Sequence, residues 1–373
     1  MIYITARQHP REKKKTWEEL LIQEESVNKN ITDGAAGTVT RVYEEIPEEI
    51  LSKINVSGMI QILKDFNTKH ENLYLSDKAS LYKTFFIPKQ TTGMRQIDEP
   101  NDELKAASNE LVEILKKKIG LLYHTSGYAY IEKRNTYQCA RKHVGSNWFF
   151  HTDIKGFFPS TTLEFTMRIM KMIFPVSEIC KSEEGYKELE KALSIVFLNN
   201  SLPQGNPASP LISNLVSIPI DFKIFNELSS RKFKYTRYAD DVYISSETKF
   251  DKERMRKYIQ SVYDQFQAPW ALKPEKTRYN SKAGRNIILG LHLNNEDKIT
   301  VGYKNKKYFK AMTANLMLDY KNDHIIDRTK VREYQGLLSY YQFVEPEYFD
   351  KLEEHFYRKY RLKINNVVRI LLS

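Results

Sequence analysis

The tetrapeptide Tyr238-Ala239-Asp240-Asp241 lies between two runs of β-type residues, FKYTR and VYISS, so adjacent carboxylates fall at the tip of a hairpin. Neighbouring acids repel one another and are poor strand formers, and a bridging divalent cation turns that repulsion into a ligand set. Mg²⁺ takes one or two carboxylates together with water and substrate phosphates, so a third acid is expected from another strand end. The run NWFFHTDI (147–154) supplies it as Asp153. An Asp-Asp pair also marks ordinary turns, and the tetrapeptide alone does not decide between the two readings.

The acids need a scaffold, and from about residue 80 β-like runs alternate with amphipathic helices. YKTFFIPK (82–89) and MRQID (94–98) flank Gln90–Gly93 and predict a hairpin. Leu104, Leu111, Ile114 and Leu115 predict a helix over 102–119. Helices are expected at 162–174 and 184–198, then the loop SLPQGNPASP (201–210) and an apolar helix from Leu211. FKYTRYADDVYISS (233–246) predicts a β-hairpin, 251–266 a charged helix, and NIILGLHL (286–293) a further strand. After residue 303 the pattern is helical: Val331, Tyr334, Leu338 and Tyr341 share one face, and Pro346 opens a last region through Leu352, Phe356 and Tyr360. The first 75 residues are polar and mixed, with a basic cluster (Arg11, Lys13, Lys14, Lys15), a helical-looking WEELLIQEE and a DGAAGT loop.

At 373 residues, 41% hydrophobic and 28% charged, the chain predicts a globular protein of two or three packed units. Lys plus Arg exceeds Asp plus Glu by 58 − 47 = 11, and a basic surface recruits polyanions by releasing their counterions. Twenty-four tyrosines among these charges suit stacking on bases. Cys139 and Cys180 are too few and too far apart for a zinc knuckle or a disulfide framework. No apolar run reaches the roughly 20 residues of a membrane span, and no apolar signal segment follows MIYITARQHP, so no membrane association and a reduced, cytoplasmic location are expected.

Six blocks follow in order: FFIPKQTTGMRQIDEP (85–100), DIKGFFPS (153–160), LPQGNPASPLISN (202–214), RYADD (237–241), LKPEKTRY (272–279) and ILGLHL (288–293). This succession resembles the reverse transcriptases over about residues 80–295, and EYQGLLSYYQFVEP (333–346) resembles the thumb of bacterial members. CARKH (139–143) resembles the Asn-Ala-x-x-His element of retron enzymes, with Cys139 in the place of Asn. ILG (288–290) stands where retrons carry Val-Thr-Gly. A retron-like or defence-associated bacterial enzyme, with a palm related to group II intron enzymes, is what the resemblance implies.

The implied fold is α/β (α+β), a right-hand polymerase: a 1–75 extension of unknown role, fingers and palm over 76–303, and a helical thumb over 304–373. The implied activity is RNA-directed DNA polymerase (a nucleotidyltransferase), copying a structured non-coding RNA with dNTPs into DNA in an antiviral role. Asp153, Asp240, Asp241 and the Ile154 carbonyl would ligate two Mg²⁺ ions, or Mn²⁺ in their place. Lys276 corresponds to the lysine proposed to protonate pyrophosphate, against the alternative of a surface lysine. Lys89 and Arg95 would hold the triphosphate, Gln204 and Gly205 would approach the nucleotide, and Gly290 would mark the primer-grip hairpin. Phe158 matches the aromatic that excludes a ribose 2′-hydroxyl, one of the Phe157–Phe158 pair being core. His143 is either part of the retron element or a core residue. Untemplated or protein-primed DNA synthesis and a binding scaffold with vestigial catalysis stay open, as does a protein partner or homo-oligomer. A separate RNase H or endonuclease domain is not expected after the thumb.

Overall fold

The computed structural model describes residues 54–89, 93–119, 123–284 and 286–373. The Arg11–Lys15 cluster, WEELLIQEE and DGAAGT lie outside the described residues, as does the tip of the first hairpin at 90–92. The chain divides into two compact units. The first takes the residues up to 124 with 156–223 and 263–269, and the second takes 125–155, 224–262 and 270–373.

In the first unit, β1 (Tyr82–Pro88) and β2 (Met94–Pro100) form an antiparallel hairpin in the register Tyr82↔Pro100. Helix α1 (Val56–Lys69) begins at Asn55, whose side chain accepts from Gly58 N. Helix α2 (Asp102–Glu113) follows β2. Its cap Asn101 accepts from Leu104 N, and Asp102 and Glu103 sit in the first turn, where the helix dipole favours acids. The predicted apolar face is buried: Leu104, Leu111, Ile114 and Leu115 are all within 3% exposure, the last two on a π-helical turn (Ile114–Lys118) that extends α2. Helix α3 (Leu163–Met170) ends short of the expected 174, before the cis Phe174-Pro175 bond. Helix α4 (Glu183–Ser194) packs on α1, where Asn67 Nδ2 donates to the Glu188 carboxylate at 2.7 Å. The loop 201–208 then leads into α5 (Ser209–Val216), whose side chains from Leu211 to Val216 are buried.

In the second unit, a four-stranded antiparallel sheet has the order β4-β5-β3-β6: β3 (Trp148–Asp153), β4 (Lys234–Tyr238), β5 (Asp241–Ser246) and β6 (Arg278–Ser281). Strand β6, at the end of LKPEKTRY, is short and has no apolar alternation that would have announced it. NIILGLHL is not one strand. It is a hairpin of β7 (Asn286–Ile288) and β8 (Leu291–Leu293), because Leu289 and Gly290 both take positive φ (52° and 84°), as a two-residue type I′ turn requires. Strand β9 (Ile299–Thr300) completes this second sheet.

Four helices follow: α6 (Tyr303–Lys321), α7 (Arg328–Val344), α8 (Pro346–Tyr360) and α9 (Ile364–Leu372). The predicted face of α7 is their core, with Val331, Tyr334, Leu338 and Tyr341 all buried. Phe309 of α6 stacks on Tyr334 and Tyr341 at 5.2 and 4.3 Å between centroids, nearly parallel to both. Arg361, at φ +58°, ends α8, so the last helical region is two helices. The helices share one apolar cluster with β7, β8 and Phe149 of β3. Among the described residues no helix is long and apolar enough to cross a membrane.

Cys139 and His143 are core. The helix Thr136–Lys142 starts at a capping box, Asn135 with Gln138, and places both side chains at 0% exposure. His143 Nδ1 meets Ser245 Oγ at 2.7 Å, Nε2 meets Thr236 Oγ1 at 2.8 Å, and Cys139 Sγ meets Thr236 Oγ1 at 3.3 Å. The element pins β4 and β5 to the helix.

Candidate active site

The sheet of the second unit brings its acids to one end. The register pairs Asp153 at the end of β3 with Asp241 at the start of β5, and Asp240 stands in the two-residue turn between β4 and β5. Ala239 takes φ +54°, a left-handed conformation that a hairpin of this length demands and that costs a non-glycine residue about 1 kcal/mol or more. The turn is held from two sides: buried Arg237 donates Nη1–H to the Ala239 carbonyl at 3.1 Å, and Ile154 N donates to the Asp240 carbonyl at 2.9 Å. Ile154 is itself fully buried, so an apolar side chain suits a position whose backbone does the work.

Three carboxylates so placed must be compensated. Burial, then the like charges of Asp241 and Asp153, push the Asp240 carboxyl up to about 6. Asp153 is 5% exposed and meets two ammonium groups, Lys273 on Oδ1 and Lys276 on Oδ2, the latter at 2.9 Å. The hydrogen bond to Asp153 holds the Lys276 ammonium above the ordinary lysine range, so it carries its proton at neutral pH. Asp241 Oδ1 meets His151 Nε2 at 2.7 Å, and the His151 ring stacks on Tyr243 at 4.6 Å. The oxygen-only donor set and the crowded acid charge fit a hard divalent cation. Among the described residues no three His, Cys, Asp or Glu side chains stand as a metal-holding group, and Asp153 faces two lysines.

The first unit gathers a second set. Lys89 and Arg95 are exposed at the turn end of the β1–β2 hairpin, and Lys89 N donates to the Gly93 carbonyl at 2.9 Å. Gln204 and Gly205 lie against β2, where Asp98 N donates to the Gln204 carbonyl at 2.7 Å. Gly205 has φ +137°, and a Cβ there would lie 2.4 Å from the Asp98 carbonyl oxygen, so only glycine allows the approach. The Asp98 carboxylate accepts from Thr84 Oγ1 at 2.7 Å and Gln96 Nε2 at 2.9 Å, and Asn206 Nδ2 donates to Tyr82 Oη and Ser108 Oγ. Phe157 is buried while Phe158 is half-buried, so Phe157 is the core member of the pair. Gly290 forms the β7–β8 turn in the second unit, with open space around its Cα.

Nine of the eleven predicted residues form two groups, each within one unit: Asp153, Ile154, Asp240, Asp241 and Lys276 together, and Lys89, Arg95, Gln204 and Gly205 on one hairpin and its docked loop. Sequence reasoning missed His151, Arg237 and Lys273. For Lys273 a signal existed. It caps a 3₁₀ turn (Pro274–Lys276), and residues three apart on such a turn eclipse, so Lys273 and Lys276 point the same way.

The family model for reverse transcriptase (RNA-dependent DNA polymerase) matches residues 87–293. The chain belongs to the reverse transcriptase family. Its curated relatives include the retron Ec83 enzyme of Escherichia coli, 26% identical with 76% of this chain and 89% of the relative covered. The retron Mx65 enzyme of Myxococcus xanthus is 24% identical, covering 82% of this chain and 70% of its own. The retron Ec73 enzyme of Escherichia coli is 26% identical over 74% of this chain and 87% of its own. Among solved structures, truncated apo telomerase from Candida tropicalis aligns at TM-score 0.43 and 14% identity, covering 63% of this chain and 58% of that one. The protein is a retron-like, RNA-directed DNA polymerase with the α/β fold of its family.

Proposed function

We propose that this reverse transcriptase copies a dedicated, structured non-coding RNA into DNA, as part of bacterial defence against phage. The pairing of Asp153 with Asp241 beside the Asp240 turn carries the catalytic part of the reading, and the likeness to the Ec83 and Mx65 retron enzymes supports its direction. Asp153, Asp240, Asp241 and the Ile154 carbonyl would hold two Mg²⁺ ions, with Mn²⁺ as a substitute. When bound, the ions activate the primer 3′-hydroxyl and neutralise the charge that builds on pyrophosphate.

The chain's own groups do the rest. Asp240 is pushed up by burial and its acidic neighbours, so a cation relieves an existing repulsion there. Lys276, protonated at neutral pH, is the donor for the leaving pyrophosphate. Lys89 and Arg95 hold the triphosphate, Arg through its planar fork and Lys as a point charge. Phe158 sits under the sugar and rejects a 2′-hydroxyl, while Gly290 shapes the primer grip. The enzyme works in the cytoplasm.

The test is the nucleic acid that co-purifies from a host carrying the native flanking DNA, sequenced after parallel RNase and DNase treatment. One RNA with complementary DNA, the DNA lost in Asp240→Asn, is the expected result. DNA without complementary RNA would overturn templated copying.

A further inference from the structure

We infer that Lys273 is an internal counter-ion of the acid cluster: it neutralises Asp153 before a divalent cation arrives and must be displaced for the cation to bind. The inference rests on the carboxylates being the metal site.

The position of Lys273 is set by backbone rather than by a wandering side chain. Its N–H donates to the Asp153 carbonyl at 2.9 Å, Lys155 N donates to the Ala271 carbonyl at 2.7 Å, and Ile154 and Leu272 form an antiparallel bridge. The segment before the 3₁₀ turn is thus zipped to the end of β3, which places the Lys273 side chain beside the Asp153 side chain. Pro274 follows directly and fixes the chain's exit.

The two lysines on Asp153 are not equivalent. Lys276 is half exposed at 53%, whereas Lys273 is 21% exposed and sits on the other oxygen of a carboxylate only 8% exposed. A charge pair this shielded is little screened by salt. It occupies Oδ1, an oxygen that a hard cation would use, and supplies one positive charge in the midst of three acids. One buried and two half-buried acids with no cation would repel one another, and Lys273 offsets that repulsion within the chain. The ammonium rides on a flexible four-carbon stem, so it can withdraw while its backbone stays zipped. A divalent cation then gains the carboxylate only after breaking one charge-assisted hydrogen bond, and its apparent affinity falls by about tenfold.

The experiment uses the full chain with Mn²⁺ alone as probe, free Mn²⁺ being read by electron paramagnetic resonance without nucleotide or primer. Lys273→Met is expected to bind Mn²⁺ about tenfold more tightly than the parent, and Lys273→Gln, which keeps a polar tip, to do likewise. Lys282→Met removes an equal charge from the ion pair with Asp297 and is expected to leave the affinity unchanged. Parent affinity in both Lys273 variants overturns the inference, as does an equal gain in Lys282→Met, which would reduce it to net charge. Asp153→Asn is expected to abolish the gain. If Asp153→Asn leaves Mn²⁺ binding untouched in every background, the carboxylate metal site itself falls, a failure distinct from that of Lys273 alone.

Discussion

Strands β3, β4 and β5 carry two polar clusters of opposite character, one half-buried and one buried. At one end Asp153, Asp240 and Asp241 crowd like charges together; about 13 Å along β5, four residues on, Ser245 joins Thr236, Cys139 and His143 in a neutral network. Burial works against the charged form in both. It pushes the Asp240 carboxyl up to about 6 and His143 down to about 3. The His143 network meets its needs internally, both ring nitrogens having a hydroxyl partner. The acid cluster borrows lysines and a histidine. The satisfied end holds the sheet so that the unsatisfied end can stay reactive.

The contrast is sharpest in Asp240→Asn. Primer extension should fall by about a thousandfold or more, while the melting temperature stays level or rises, since one of three crowded charges is gone. Loss of both activity and stability would erase the distinction between the two ends. At the other end, His143→Leu should cost about 2 kcal/mol or more of stability in urea unfolding, by stripping Ser245 and Thr236 of a partner. Activity per folded molecule should change little.

The same histidine sets a pH signature. Its folded-state value lies far below the unfolded value of about 6.5, so below that pH the unfolded chain binds a proton that the folded one refuses. Its contribution is complete above about pH 6.5 and is lost as pH falls toward about 3, with a slope of up to about 1.4 kcal/mol per pH unit. His143→Gln should flatten that acid limb of the stability profile. The smallest effect belongs to His151→Phe, which keeps a ring against Tyr243 and removes the partner of Asp241. Here kcat should fall about tenfold with KM for dNTP nearly unchanged, and an equal rise in KM would point to binding rather than to Asp241.

Much of this was legible because it was local. The period of Val331, Tyr334, Leu338 and Tyr341 announced the buried face of α7, and the FKYTR/VYISS runs announced the hairpin that carries Asp240. Six ordered blocks announced the family. Much of what escaped depends on partners more than 80 residues apart, such as His151 with Asp241 and His143 with Ser245. No local pattern encodes such pairs. Residue types alone read NIILGLHL as a strand, because apolar composition is blind to a bulky Leu289 in a left-handed conformation; the resemblance, through Gly290, supplied the hairpin.

Gly205 has a mechanical consequence. With the Asp98 carbonyl 2.4 Å from where its Cβ would lie, and Asp98 N bonded to Gln204, the loop and the β1–β2 hairpin are clasped backbone to backbone. The two are therefore one backbone-linked piece, and any displacement of β2 at Asp98 would carry Gln204 with it.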